Sequence, residues 1–317
     1  STTFSFNQPR FRINATWNSS ATTFANQSFV GTSPIGIFVN SNNSIYIPNQ
    51  DTGKIHIWLN ENHLNPIKTI EGNLSSPFSL FVTTNGDIYV DNGNNGRVDK
   101  WIRENETWIS VMNVTLYCFG LFVDIYENLY CSMYHNHRVD KKWSNGTTTI
   151  VAGTGVQGSQ SDMLNHPWGI FVDINLDLYV ADWGNSRIQL FRLNQRNGIT
   201  VAGKGSSSVT IELYRPTGTV LDGDQHLFIV DCFNHRIIGS DENGFRCIFG
   251  CSGYGSTNDK LTYPHTMSFD SYGNIYVTDR YNHRIQKISL SKKSDRKYEN
   301  CSIFSKSTAK IPFFTFD

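Results

Sequence analysis

One register recurs six times along this chain, and nothing else in the sequence limits its fold as much. Six apolar segments lead the units: PIGIFV (34–39), PFSLFV (77–82), CFGLFV (118–123), PWGIFV (167–172), PTGTVL (216–221) and PHTMSF (264–269). Each is followed by a second short segment: IYI (45–47), IYV (88–90), LYC (129–131), LYV (178–180), LFI (227–229) and IYV (275–277). Each unit then reaches a basic residue and a β-branched one, as Lys54-Ile55, Arg97-Val98, Arg138-Val139, Arg187-Ile188, Arg236-Ile237 and Arg284-Ile285. The leading residue and the basic residue are 20 positions apart in every unit, while successive units start 43, 41, 49, 49 and 48 residues apart. The inner block is therefore fixed in length, and the connections between blocks absorb the variation.

Each unit reads as strands. GIFVD and LYVAD are short β-branched and aromatic runs separated by polar turns such as DINLD (173–177), and Asn43-Ser44, Asn85-Gly86 and Tyr272-Gly273 fall in the equivalent turns. A third strand follows the basic residue, as in RIQLFRL (187–193). A fourth precedes a glycine, as in TTTIVAG (147–153), GITVAG (198–203) and FRCIFG (245–250). Four strands in a unit of this length make a propeller blade, and no helical period competes with that reading. The expected fold is all-β, a six-bladed β-propeller spanning residues 1–290. The last unit lacks a fourth strand in the usual place, and an orphan strand, ATTFA (21–25), precedes the first unit. That strand is expected to pair with the third strand of the last blade (284–290) and so leave no open edge between the termini. Residues 291–317 are left as a C-terminal tail, in which KIPFFTF (310–316) is apolar enough to pack on the propeller or to lead into a missing segment.

Charge narrows the partners. Lys plus Arg equals Asp plus Glu at 27 each, the pI is about 7.1, and no block of five like charges occurs, which argues against nucleic acid. The densest basic stretch, 291–297, reads as a solvated tail. No run of eighteen apolar residues spans a bilayer. Secretion is the expected localisation. The cysteines are even in number, at 118, 131, 232, 247, 251 and 301. Glycosylation sequons begin at Asn14, Asn18, Asn26, Asn42, Asn73, Asn105, Asn113, Asn145 and Asn300, more than the roughly five that this asparagine content gives by chance. The cysteines are too sparse for a disulfide scaffold, so the core must carry the fold.

The units G-[IL]-F-V-D, [IL]-Y-V-x-D and N-x-R-I resemble NHL repeats, and VADWGNSRIQLF (180–191) and VTDRYNHRIQKI (277–288) are similar to that family's consensus. The resemblance covers about residues 21–290. It implies the propeller fold strongly and function weakly, because such propellers serve as protein- and RNA-binding platforms, as extracellular modules and, in one branch, as an amidating lyase.

The candidate sites divide accordingly. His137, His235 and His283 share one repeat position, but equivalent positions around a ring diverge, and they read as turn residues rather than a zinc site. Asp182, Asp231 and Asp279 stand five residues before Arg187, Arg236 and Arg284 and read as turn caps with charge-assisted hydrogen bonds. The resemblance implies that the lyase branch places zinc-binding histidines one residue after the leading Pro. Here that column holds Ile35, Phe78, Phe119, Trp168, Thr217 and His265, and His166 lies out of register. One histidine cannot supply three ligands, so no metal, cofactor or catalytic residue is assigned. GTGVQG (153–158) and GKGSSS (203–208) are not followed by helices, which argues against phosphate loops, and no G-x-S-x-G elbow occurs.

A face remains. The turns between second and third strands and the connections between blades share one side of a propeller. Phe78, Phe119, Trp168 and His265 stand near the channel mouth, and Tyr134, His135, Trp183, Phe233, Arg280 and Tyr281 lie in those turns, which contain no sequon. Aromatic rings with arginine are the composition of binding hot spots. The expected function is therefore extracellular recognition of a protein, peptide or glycan. A propeller enzyme of lyase or hydrolase type with a divalent cation at the channel mouth, and a structural matrix domain, are the alternatives. Cys118 and Cys131, at opposed ends of a hairpin turning near 125–127, are expected to form a disulfide. Cys247 is expected to pair with Cys251 through a bend at Gly250. Cys232 and Cys301 remain unassigned.

Overall fold

The computed structural model describes residues 4–59, 65–207 and 210–291. The tail from 292 onward, with Asn300, Cys301 and KIPFFTF, lies outside the described residues. Six antiparallel four-stranded sheets form a closed propeller. Blade four shows the pattern, with strands Pro167–Val172, Leu178–Asp182, Arg187–Phe191 and Ile199–Gly203 running from the channel outward.

The repeated residues each have a local task. The aspartate ending the first segment closes the first turn. Asp173 Oδ1 accepts the backbone N–H of Asn175 and Asp177, both at 2.9 Å, and Asp124, Asp222 and Asp270 do the same in their blades. The aspartate ending the second strand ties the next turn to the incoming connection. Asp182 Oδ2 accepts from Arg187 Nε at 2.7 Å, and its Oδ1 accepts the N–H of Asn165 at 2.7 Å. Asp231 with Arg236 and Asp279 with Arg284 repeat the arrangement, so these pairs hold the frame.

The histidines of the N-H-R-I motif are left-handed turn residues, at φ 52° for His137, 57° for His235 and 53° for His283. Their side chains reach the next blade. His137 Nδ1 accepts from the N–H of His166, and His235 Nδ1 from that of Tyr263, each at 3.1 Å. His283 Nδ1 meets the Thr32 carbonyl, so each histidine stitches two neighbouring blades.

Glycine at the third position of the leading segment has a steric cause. A Cβ on Gly169 would stand 2.5 Å from the Thr217 carbonyl oxygen, and one on Gly120 would stand 2.6 Å from that of Trp168. At Gly36, Gly120, Gly169 and Gly218 the neighbouring blade approaches too closely for a side chain, while the second and sixth blades carry Ser79 and Thr266 in the same column.

Closure is as the sequence implies, trimmed at both ends. Thr22–Ala25 pairs with Arg284–Ile288, with Thr22 opposite Lys287 and Ala25 opposite Ile285. Cys118 is bonded to Cys131, and Cys247 to Cys251. In the first pair a bulge between Cys118 and Leu121 shifts the register, so Cys131 faces Leu121 and Cys118 faces Met133. Cys232 is buried and bonded to no other cysteine among the described residues.

The segment before the closing strand has no counterpart in the repeat. It runs across the face that carries the first turns: Phe6 bridges to Asn40, Ser41 donates to the Ser5 carbonyl, Gly223 donates to that of Pro9, and Trp17 Nε1 donates to that of Gly273. Phe6 sits on the channel axis, with its ring centre 5.5 Å from both Phe122 and Phe171 and 6.2 Å from Phe81. Phe11 packs against Trp17, Phe228 and Phe269. The channel is thereby stoppered at this lower end.

Candidate functional site

The opposite, upper face carries the sequence-predicted rings, and they touch one another. Each comes from a fixed place in a blade, either the second residue of the leading segment or the short turn after the second strand. Phe119 and Trp168, on neighbouring blades, have ring centres 4.2 Å apart. Phe78 lies 4.9 Å from Phe119, Tyr134 5.0 Å from Phe119 and 5.9 Å from Trp183, and Trp183 6.0 Å from Phe233. Tyr263 continues the line, 5.0 Å from Phe233 and 4.9 Å from Tyr281. The result is a continuous aromatic arc from blade two to blade six.

Burial separates the arc into two parts. Ile35 and Thr217 are fully buried, and Trp168 and His265 are nearly so at 8% and 3% exposure. Phe78, Phe119, Tyr134, Trp183 and Phe233 are half-buried, and His135 and Tyr281 are exposed. The channel below the mouth is lined by Leu80, Phe81, Phe122, Ile170, Phe171 and Met267 and holds about 100 Å³. That is below the roughly 300 Å³ at which pockets take drug-sized ligands, so any larger ligand must lie on the face.

Two cations punctuate the arc. The Arg215 guanidinium carbon lies 4.2 Å from the Trp183 ring centre and 4.7 Å from that of Phe233. Arg280 donates from Nε to Ser33 Oγ at 2.6 Å, and its Nη1 stands 3.1 Å from His265 Nε2. Burial, reinforced by Arg280, holds the His265 pKa well below the ordinary histidine value, so the ring is neutral. Burial also lowers His166 and His137, which lie beside each other with ring centres 4.5 Å apart. Cys232, beneath this face, has its thiol pushed up to about 12 by burial and is not a nucleophile at neutral pH. Among the described residues no three His, Cys, Asp or Glu side chains are placed to hold a metal ion.

Sequence reading missed Tyr117, Arg215 and Tyr263, and set His166 aside as out of register. All four occupy the position just before the leading residue of a unit, in the same column as Ser33 and Ser76. His166, Arg215 and Tyr263 have positive φ, of 54°, 53° and 50°, and that turn lifts their side chains onto the face. Aligning that column as well as the one after the proline would have found them.

The eight described sequon asparagines are all exposed, and none belongs to the arc. From 146 to 299 the chain has no sequon, although ten asparagines occur there.

The NHL repeat pattern matches residues 164–191 and 261–288. No curated protein sequence matches the chain. Solved structures share its fold at low identity. Virginiamycin B lyase from Staphylococcus aureus is 13% identical with a TM-score of 0.60, covering 86% of this chain and 99% of that one. An auxiliary nutrient binding protein from Bacteroides thetaiotaomicron is 14% identical with a TM-score of 0.59, covering 91% and 76%. A putative gluconolactonase is 11% identical with a TM-score of 0.62, covering 91% and 98%. At such identities the likeness speaks of fold alone.

Proposed function

We propose that this chain, which belongs to the NHL-repeat β-propellers, is an extracellular recognition module that binds a protein, peptide or glycan on its aromatic face. The observation that carries this reading is the continuous line of rings from Phe78 to Tyr281, most of them half-buried, with Arg215 set against Trp183 and Phe233. Rigid rings contribute large contact area at small entropic cost, and a stacked guanidinium adds direction. Two disulfides and the exposed sequons fit an oxidising, glycosylating compartment. No described helix is long and apolar enough to cross a membrane.

The test is a binding screen against extracellular proteins, peptides and glycans, run with the wild-type protein and with the double variant Phe119→Ala/Trp183→Ala. Both side chains are half-exposed, so an unchanged melting temperature shows that the variant is folded. Interactions lost in the variant support the reading. Interactions that all survive overturn it.

A catalytic reading has one observation in its favour, the neutral, buried His265 beside Arg280 at the channel mouth. Assays for lyase and lactonase turnover, with elemental analysis of protein purified without chelator, test that alternative.

A further inference from the structure

We propose that Arg215 is the charge-reading residue of the aromatic arc, and that the arc's ligand is an acidic peptide segment whose Asp or Glu side chain pairs with its guanidinium. This rests on reading the arc as a binding face.

Arg215 is held in place without using its donors. Its guanidinium carbon lies over Trp183 of blade four and Phe233 of blade five, at 4.2 and 4.7 Å from the ring centres, and 5.7 Å from that of Tyr214. A cation over a ring face is attracted by the ring electrons, so its N–H groups stay available. The main chain is fixed separately. Arg215 donates its backbone N–H to Ser186 Oγ, and the adjoining Tyr214 N–H donates to Asp231 Oδ1 at 2.7 Å. Among the described residues the guanidinium makes no hydrogen bond and no ion pair. Arg215 is half-buried, and none of its nitrogens is both enclosed and unpartnered, so these donors open to solvent.

No carboxylate of the chain answers this charge. The two aspartates of the adjacent turns, Asp182 and Asp231, are fully buried and paired with Arg187 and Arg236. Glu212, three residues before Arg215, is exposed and forms no ion pair among the described residues. A planar cation with several donors and no counter-charge suits a carboxylate brought by the ligand. The surroundings favour a peptide over a glycan. Sugar hydroxyls are read by sets of directed polar groups, and the amides of these turns already serve the frame: Asn185 Nδ2 donates to Gly158 and Asp182, and Asn234 Nδ2 to Asp231. What remains around Arg215 is ring surface, which takes the apolar side chains that flank an acidic residue in a peptide.

The test pans a random peptide library on the wild-type protein and on Arg215→Met, which keeps an apolar chain against the rings and removes the charge. Peptides enriched on wild type should carry Asp or Glu with an apolar residue within two positions. Synthesised free and followed by tryptophan fluorescence, they should bind about tenfold more tightly than their Asn or Gln counterparts. Arg215→Met should bind both forms equally, and Arg215→Lys, which keeps the charge without the planar fork, should fall between. Melting temperatures confirm that the variants fold. Enriched peptides without an acidic residue, or an acid preference that persists in Arg215→Met, overturn the proposal. If Phe119→Ala still weakens those peptides, the binding face survives that result. Where no peptide is enriched, the acidic peptide is also overturned. Arg215-dependent binding of chondroitin sulfate then assigns the face to an anionic glycan, and no binding removes the support for the face itself.

Discussion

Arg215 and Trp183 form a cation–π contact across a blade boundary, with the guanidinium carbon 4.2 Å from the ring centre. The arrangement is held from behind. The Arg215 backbone N–H donates to Ser186 Oγ at 3.2 Å, and Ser186 fills the left-handed turn position that histidine holds in blades three, five and six. Arg215 is therefore placed by its main chain, and its side chain needs no carboxylate to stay put.

A double-mutant cycle with Arg215→Gln and Trp183→Leu should give a coupling of about 0.5–1 kcal/mol in chemical denaturation, the range for partly exposed pairs of this kind. Strictly additive single-site effects would mean that the contact is incidental.

Gly169→Ala should destabilise the propeller by about 1–3 kcal/mol, because the new methyl would press on the Thr217 carbonyl of the next blade and neither backbone can yield locally. Gly146→Ala is the control. Its Cβ would meet nothing within 4 Å, so only the strain of φ 91° remains. Equal losses at the two sites in a urea titration would show that inter-blade crowding is not the cause.

Asp91 is fully buried, with Oδ1 accepting from the Cys118 N–H at 3.1 Å and Oδ2 without a hydrogen-bond partner among the described residues. Burial, with the nearby Asp99 carboxylate, holds its pKa well above the ordinary value. The folded state then keeps a proton that the unfolded state releases above about pH 4. Stability contributed by that proton is complete below this point and falls as pH rises toward the folded pKa. Asp91→Asn should remove the dependence, so its melting temperature should gain on wild type as pH rises from 4 to 8. A constant difference across that range would show that Asp91 titrates normally.

The repeat made the blades legible because most units reuse aspartate, arginine and glycine at the same positions for the same turns and close approaches, and units four and five carry the whole set. The N-terminal segment was illegible for the opposite reason. Phe6, Phe11 and Trp17 sit on no period, and only the assembled ring gives them a place to go. Arg215 escaped because it lies one residue outside the aligned block, in a column that mixes Ser, Tyr, His and Arg. The aromatic face itself was readable as residue types at fixed positions. That its rings touch in one line depends on how the blades are rotated about the axis, which no single unit encodes.

Deleting residues 1–27 should expose the outer edge of Arg284–Ile288 and the lower end of the channel together, and the product should associate or aggregate. Light scattering and thermal unfolding measure this. A monomeric product with unchanged melting temperature would show that neither the strand nor the stopper matters to the ring.

The closing pair also sets a clock. Thr22 and Lys287 are partners, so the strand made earliest within this chain cannot find its neighbour until almost all the rest exists. At about 5–20 residues per second of synthesis, Thr22–Ala25 waits on the order of 10–50 s, with its apolar Phe24 uncovered, while five blades form ahead of it. Until that moment the last blade has an open flank that a second nascent chain could fill. The interval before closure, rather than the finished ring, is where this protein is most exposed to exchanging its first strand with a neighbour.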